Sequence, residues 1–218
     1  MARGIARLLG FELPENFTGP FFARSMSELW QRWHITLSSW LRDYIYIPLG
    51  GSKQGELITY RNLLITMAVG GFWHGATWTM VLWGVSLGMV LIIERIFRVH
   101  KIVIIPSERL RSVAGVFYTF ITFSLTATLF GVASLKDTYA AWKGILTLQR
   151  GLPASAPETI IGMTVLVFLF NAWQYHPFFD RMKNPNVRLA FSAVLVFVTG
   201  ILVNIFGDVS GSFVYFKF

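Results

Sequence analysis

The chain has 218 residues, 54% of them hydrophobic and only 14% charged, with a mean hydropathy of +0.56. Soluble domains carry about 25% charged residues, so the composition predicts an integral membrane protein whose first partner is the lipid bilayer. The net charge of +8 comes without a basic stripe interleaved with stacking aromatics, which argues against nucleic acid as a partner. The absence of cysteine excludes disulfides, thiolate catalysis and cysteine-bound metal.

Residues 1–61 are predicted to form an interfacial region at the membrane surface. Ser25 and Glu28 have the spacing of a capping box, which predicts that a helix begins after Ser25. The residues that follow are polar on one side, and this favours an amphipathic helix lying in the interface over a spanning one. Its apolar residues recur with the helical period of 3.6 and are Met26, Leu29, Trp30, Trp33, Leu37, Trp40 and Leu41.

His34 lies at the edge of this apolar stripe, and on spacing alone a boundary histidine is usually structural. Arg42 and Asp43 form either an ion pair at an edge of low dielectric constant or two solvated charges. Pro48 is predicted to push Ile47 out of helical geometry, because the proline ring disfavours a helical residue before it.

The longest apolar run is Asn62–Ile93, 32 residues in which His74 is the single ionisable side chain. One straight helix of this length would measure about 48 Å, against a hydrocarbon core of about 30 Å. The run is therefore predicted to break at Gly70–Gly75, as a broken or re-entrant helix, and to leave His74 at a helix end facing a cavity inside the bilayer. A titratable group in such a run favours a functional site, although a neutral histidine bonded to a neighbouring helix for packing is the alternative.

Residues 62–218 are predicted as the spanning region of a single all-α membrane domain over 1–218, with four to five spanning helices. The predicted spans after the break run over Thr77–Glu94, Ala114–Ser134, Thr159–Trp173 and Val187–Phe206. Residues 135–158 are interpreted as a loop. The Lys and Arg residues favour a cytoplasmic position for the loop after Glu94 and for Gln174–Arg188.

Two segments together resemble the membrane-bound O-acyltransferase family. They are Arg32–Gly51, which reads RWHITLSSWLRDYIYIPLGG, and Gly71–Ala76, which reads GFWHGA. The resemblance is strongest to the bacterial branch with alginate and peptidoglycan O-acetyltransferases and the teichoic-acid D-alanyl transfer protein, and Phe213–Phe218 also resembles the end of that branch.

The resemblance implies a multi-pass protein of the bacterial inner membrane that moves an acyl group, commonly acetyl, to a hydroxyl of a cell-surface polymer such as alginate. The implied donor is a thioester such as acetyl-CoA, used as a co-substrate with no bound cofactor and no metal. The implied further partner is the polysaccharide or an acyl-acceptor protein.

Carried over to this chain, the essential buried histidine of the family matches His74 and its second functional histidine matches His34. We expect His74 to be the general base and His34 to position the donor or the acceptor, since imidazole titrates near neutrality. Glycines 70, 71 and 75 are expected to bring backbone N–H groups to the thioester carbonyl. The residues predicted to line the pocket or bind substrate are Trp73, Trp78, Arg42, Asp43 and Tyr46.

The chain departs from the family in two ways, and both keep other interpretations open. Family members are roughly twice as long, so the resemblance implies a carboxyl-terminal half whose amino-terminal half is missing or supplied by a partner. Thr128–Gly131 also lacks an arginine that the family often has there. An inactive truncated fragment is therefore one alternative, and half of a proton-coupled transporter or channel with His74 as relay is another.

Overall fold

The structure, a computed structural model, describes residues 2–131, 134–147 and Asn186. The chain divides into two compact units, Met1–Leu152 and Pro153–Phe218, and all the described residues except Asn186 belong to the first. The described part of the chain is helical and contains no strand, as predicted.

Two predicted spans, Thr159–Trp173 and Val187–Phe206, lie outside the described residues. The organisation of residues 1–218 as one domain and the number of four to five spans therefore stay predictions.

Seven α-helices lie in the described residues. They are α1 Ala2–Leu8, α2 Met26–Arg32, α3 Ile35–Leu41, α4 Glu56–His74, α5 Trp78–Val99, α6 Glu108–Gly131 and α7 Leu135–Leu146. Two stretches are long and apolar enough to cross a membrane, Trp78–Val99 and Glu108–Phe130. They correspond to the predicted spans Thr77–Glu94 and Ala114–Ser134, and the second begins six residues earlier than predicted.

Helices α4 and α5 form an antiparallel hairpin, which confirms that the long apolar run breaks near its middle. Glycines let the two backbones touch: a Cβ on Gly84 would overlap the Met67 carbonyl oxygen, and a Cβ on Gly71 would overlap the Met80 carbonyl oxygen. At the far end of the hairpin, Arg95 donates two hydrogen bonds of 2.7 and 2.8 Å to the Glu56 carboxylate. Small residues at such a crossing allow the close approach typical of helix pairs in membranes.

The glycine cluster was expected to break the helix, and this expectation was wrong for Gly70 and Gly71. Both lie inside α4, which continues to His74, and the chain leaves helical geometry at Gly75. Gly71 serves helix packing instead of the turn, because its missing Cβ makes room for the backbone of α5.

Helix α2 is attached to α5 by a carboxylate. Glu94 accepts hydrogen bonds from the backbone N–H of Met26 and Ser27 at 2.6 and 3.0 Å and from the Ser27 hydroxyl at 3.0 Å. A carboxylate is favourable at this position, since the first N–H groups of a helix have no partner within the helix and carry partial positive charge. The predicted cap is confirmed, because the Ser25 hydroxyl accepts from the Glu28 backbone N–H at 3.1 Å.

The core lies where α2 packs against α5 and α6. Its buried members are Ala23, Met26, Leu29, Trp83, Leu87, Leu91 and Leu129. Burial of each large apolar side chain contributes roughly 1.5–3 kcal/mol, so this cluster fixes helix α2 on helices α5 and α6.

One continuous interfacial helix was expected after Ser25, and the structure instead has two helices with a break at residues 33 and 34. Trp33 is extended, with φ −112° and ψ 127°, and His34 is left-handed, with φ 45° and ψ 53°. The apolar residues of the sequence keep the helical period across residues 33 and 34, so the period alone did not indicate the break.

Two further expectations about local structure were wrong. Ile47 keeps helical angles, φ −65° and ψ −47°, because its N–H donates to the Arg42 carbonyl at 2.9 Å in a wide π-helical turn over Arg42–Tyr46. The segment from residue 135 is not a loop at its start but helix α7, which is attached to α6 by the bond from Trp142 Nε1 to Thr128 Oγ1 at 2.7 Å.

Candidate active site at the tip of the α4–α5 hairpin

His74 is the last residue of α4, as predicted. The turn to α5 is short: the Gly75 N–H donates to the Phe72 carbonyl at 3.1 Å and the Thr77 N–H to the Gly75 carbonyl at 2.8 Å. The Thr77 hydroxyl then caps α5 by accepting from the Met80 N–H. His74 is therefore fixed at the tip of the hairpin, at one end of both helices and not halfway along a span.

Aromatic rings surround the imidazole of His74 on three sides. The ring centroids of Trp73, Trp83 and Phe130 lie 4.8, 5.2 and 5.3 Å from that of His74, and each ring meets it edge to face. Trp83 is buried, with 6% of its surface exposed. Rings at this spacing hold an imidazole in one orientation and keep the dielectric constant around it low.

The second histidine reaches the same place from the break between α2 and α3. The centroid of the His34 ring lies 6.1 Å from that of Trp73, at an interplanar angle of 89°. Trp73 therefore touches both histidines, which are 40 positions apart in the sequence. Partial burial removes water from His34 and lowers the pKa of its imidazole below 6.5, which favours the neutral form.

A cavity of about 220 Å³ opens beside His74 between the hairpin and the helices α2 and α3. Its walls are mostly apolar, with a few polar groups, an arrangement typical of small-molecule sites. The residues that line it are Ser27, Trp30, Leu37, Ser38, Leu41, Arg42, Tyr46, Leu63, Thr66, Met67, Gly70, Gly71, His74, Trp83 and Leu91.

The predicted substrate-binding residues divide into two groups in the structure. Arg42 and Tyr46 line the cavity. Asp43 binds the Arg42 guanidinium at 2.7 and 3.1 Å on an exposed surface, and this contact lowers the pKa of the Asp43 carboxyl. Trp73 and Trp78 do not line this cavity, and Trp78, the first residue of α5, has 78% of its surface exposed.

The expected role of the glycines as donors to a carbonyl does not agree with the structure. The N–H groups of Gly70 and Gly71 lie inside α4, where each is used by the helix. The N–H of Gly75 already donates to Phe72. Donors for a developing oxyanion therefore have to come from other groups.

Three buried nitrogen atoms near the site have no hydrogen-bond partner among the described residues. They are Nε1 of Trp30, Nε1 of Trp83 and Nδ1 of His34, and the two tryptophans line the cavity. A buried polar group without a partner costs about 1–3 kcal/mol, so these groups need a water molecule or a ligand as partner. Spacing did not single out Trp83 or Phe130, which look like ordinary span residues in the sequence.

The described residues contain no group of three or more His, Cys, Asp or Glu side chains placed to hold a metal ion. The polar groups that line the cavity include the imidazole, indole N–H, phenol and guanidinium groups of its side chains. Such a site is equipped to move a proton and to bind a neutral or anionic ligand in apolar surroundings.

A family model described as the membrane-bound O-acyltransferase family matches residues 1–135. The chain belongs to this family. The matched residues include both histidines, Trp73, the cavity and helices α1 to α6, so the site described above lies wholly inside the family region.

Individual relatives agree with the predicted branch. A probable alginate O-acetylase of Azotobacter vinelandii is 52% identical over 99 residues, which are 45% of this chain and 20% of the relative. A peptidoglycan O-acetyltransferase of Helicobacter pylori is 48% identical over 97 residues, 44% of this chain and 18% of the relative. A teichoic acid D-alanyltransferase of Streptococcus thermophilus is 32% identical over 147 residues, 59% of this chain and 35% of the relative.

Proposed function

We propose that this chain carries the histidine site of a membrane O-acyltransferase. The enzyme moves an acyl group, in the first instance acetyl, from a thioester donor to a hydroxyl of a cell-surface polysaccharide. The observation that carries the proposal is the meeting of His34 and His74 on the ring of Trp73, beside a cavity, within the family region.

His74 acts as the general base in this proposal. Its imidazole takes the proton of the acceptor hydroxyl while the oxygen attacks the thioester carbonyl carbon. The tetrahedral intermediate collapses, the carbon–sulfur bond breaks, and the thiolate leaves with the proton that the imidazolium returns. The rings of Trp83 and Phe130 support this role because they pack edge to face with the imidazole and hold it in place.

His34 positions one of the two substrates from the other side of Trp73. The indole N–H groups of Trp30 and Trp83 are available to donate to the thioester carbonyl or to the oxygen that develops charge. Arg42 and Tyr46 in the cavity wall suit a donor that carries phosphate or an acceptor that carries hydroxyl groups.

The names of the relatives support the substrate class. Those quoted act, by name, on alginate, peptidoglycan and teichoic acid, which are polymers of the bacterial surface. We therefore include in the proposal a multi-pass position in the bacterial inner membrane, acetyl-CoA or a carrier-bound acyl thioester as donor, and the polymer or an acyl-acceptor protein as partner. A second polypeptide that corresponds to the rest of the relatives is a further proposed partner.

The transporter interpretation gains less support from the site. A proton relay needs hydrogen-bonding groups on both sides of the histidine, and the rings that pack on His74 are Trp73, Trp83 and Phe130. The interpretation as an inactive fragment is tested directly by measuring transfer with and without the remaining part of the enzyme.

The test measures transfer of labelled acetyl from acetyl-CoA to alginate or peptidoglycan oligosaccharides in membrane vesicles. The chain is assayed alone and together with the amino-terminal part of the Azotobacter relative. We expect transfer in at least one arrangement and a loss of about 10²–10⁴-fold in rate for His74→Ala, the usual contribution of a general base.

His100→Ala is the matched control, because His100 ends α5 at the opposite end of the hairpin. It should leave the rate unchanged. Transfer at the wild-type rate by His74→Ala would remove this histidine from the mechanism, and proton-coupled flux without any acyl transfer would favour the transporter instead.

A further inference from the structure

His34 has a backbone conformation that its own sequence does not favour. Its angles, φ 45° and ψ 53°, lie in the left-handed region, where the Cβ of an L-residue crowds the following carbonyl oxygen. Such strain persists when the surrounding structure compensates for it, and it concentrates at functional sites. The question is which residue holds the histidine in this position.

The side chain of Asn16 meets the chain directly after His34. Its Oδ1 accepts two hydrogen bonds from Thr36, one from the backbone N–H and one from the hydroxyl, both at 3.0 Å. The backbone carbonyl of Asn16 accepts a third bond, from the Ile35 N–H at 3.0 Å. Asn16 thus accepts hydrogen bonds from the first N–H groups of α3. His34 stands at the N-cap position, but its side chain makes no capping bond.

The same segment also fixes the residues before the histidine. The Thr18 N–H donates to the Arg32 carbonyl at 3.0 Å. The ring of Phe17 packs edge to face on Trp33 at 5.2 Å and lies 6.0 Å from the ring of His34. Residues 16–18 therefore hold both sides of the break, with bonds to Arg32 before it and to Ile35 and Thr36 after it.

These bonds determine the direction in which the His34 side chain leaves the backbone. Helices α2 and α3 would tend to join into one helix, since their apolar residues keep the helical period through the break. In a helix the Cα–Cβ bond of residue 34 would tilt toward the amino-terminal end, whereas in the left-handed conformation the His34 ring lies edge to face with Trp73 at 6.1 Å. The bonds from Asn16 stabilise the second arrangement.

We propose that Asn16 is a positioning residue that holds His34 in the left-handed conformation and thereby sets its imidazole against Trp73 in the acyl-transfer site. The inference deepens the proposed function and rests on it for its effect on catalysis. The effect of Asn16 on the geometry of His34 stands independently, so the two are tested with separate measurements.

The first measurement is independent of activity. Diethyl pyrocarbonate modifies accessible imidazoles, and mass spectrometry of the peptides gives a rate for each histidine of the full chain in detergent. We expect Asn16→Ala to raise the rate at His34 about tenfold and to leave the rate at His74 unchanged. Asn16→Asp keeps an oxygen acceptor for Thr36 and should restore the wild-type rate at His34.

The second measurement is acyl transfer under the conditions described above. Misplacement of a site residue costs up to about a hundredfold in rate, and we expect Asn16→Ala to lower kcat about tenfold or more, with rescue by Asn16→Asp. In the His34→Ala background, Asn16→Ala should have no further effect, because the residue that it positions is gone. Glu15→Ala is the matched control, because Glu15 directly precedes Asn16 and makes an exposed ion pair with Arg3. This substitution should change neither the modification rate nor kcat.

The outcomes separate the two proposals. An unchanged modification rate at His34 in Asn16→Ala would overturn the positioning role, whatever the activity. Equal loss of kcat by Asn16→Ala with and without His34 would also overturn it, because the effect would then be structural. The wild-type chain could also show no acyl transfer in any arrangement while Asn16→Ala still raises the modification rate at His34. That result would refute the proposed function and support the positioning of His34 by Asn16.

Discussion

The two histidines of the site are held in place by different kinds of contact. His74 ends a regular helix at the tip of the α4–α5 hairpin, where an apolar run too long for one span has to turn. His34 lies in a break between two short helices and takes a left-handed conformation that residues 16–18 compensate. One histidine is therefore placed by local sequence and hairpin packing, and the other by contacts from a distant part of the chain.

The two histidines also differ in the interactions that stabilise their positions. The hairpin around His74 depends on backbone contact between α4 and α5, which tolerates no added volume at Gly71 or Gly84. The break at His34 depends on a few hydrogen bonds, each contributing about 0.5–1.5 kcal/mol. Substitutions in the hairpin should therefore act mainly on folding, and substitutions at the break mainly on the site.

Gly84→Ala should have the largest effect on stability. A Cβ here would overlap the Met67 carbonyl oxygen, so the helices must separate, and we expect a loss of about 3 kcal/mol in the free energy of unfolding. Gly144→Ala in α7 is the control, because nothing lies within 4 Å of its Cβ position, and it should be neutral or slightly stabilising. Denaturation in detergent measures both, and equal stability of the two variants would contradict close packing of the hairpin.

His34→Gly and His34→Ala should separate backbone from side chain at the break. Both remove the imidazole, so both should lower acyl transfer to the same extent. Glycine accepts the left-handed angles that alanine resists, and His34→Gly should be the more stable variant by about 1 kcal/mol. If the alanine variant proved as stable as the glycine variant, residue 34 would not be left-handed in the folded protein.

The smallest effect should be a pH dependence of stability that arises from His34. Its pKa is lowered in the folded state by loss of water, so between that pKa and 6.5 the unfolded chain binds more protons than the folded chain. The free energy of unfolding should therefore rise with pH through this window and reach its full value above 6.5. His34→Gln should flatten the rise by a small amount, since the ring is partly exposed, and a steeper slope for this variant in thermal unfolding would contradict the assignment.

Much of the site followed from the sequence because its causes are local. The charge-free run Asn62–Ile93 exceeds one membrane thickness, and this length by itself requires a turn near its middle, where His74 stands. The capping-box spacing of Ser25 and Glu28 predicted the start of α2 correctly. The motifs around both histidines indicated the family, and residues 1–135 confirm it.

Other details of the site depend on contacts between segments that are far apart in the sequence. Gly70 and Gly71 look like helix breakers in the sequence, but Gly71 receives the backbone of α5 in the structure. Trp73 and Trp78 looked alike as pocket residues, yet Trp73 touches both histidines and Trp78 faces outwards. Trp83 and Phe130 lie in the predicted spans, and the structure adds that both rings pack on His74.

The sequence by itself determined that this is a helical membrane protein with a turn beside His74, because hydropathy, length and capping act over neighbouring residues. Tertiary structure alone decided that His34 leaves the helical path and meets Trp73. That position depends on Asn16, whose bonds to Ile35 and Thr36 join segments about twenty residues apart and oppose a continuous helix that the local pattern favours.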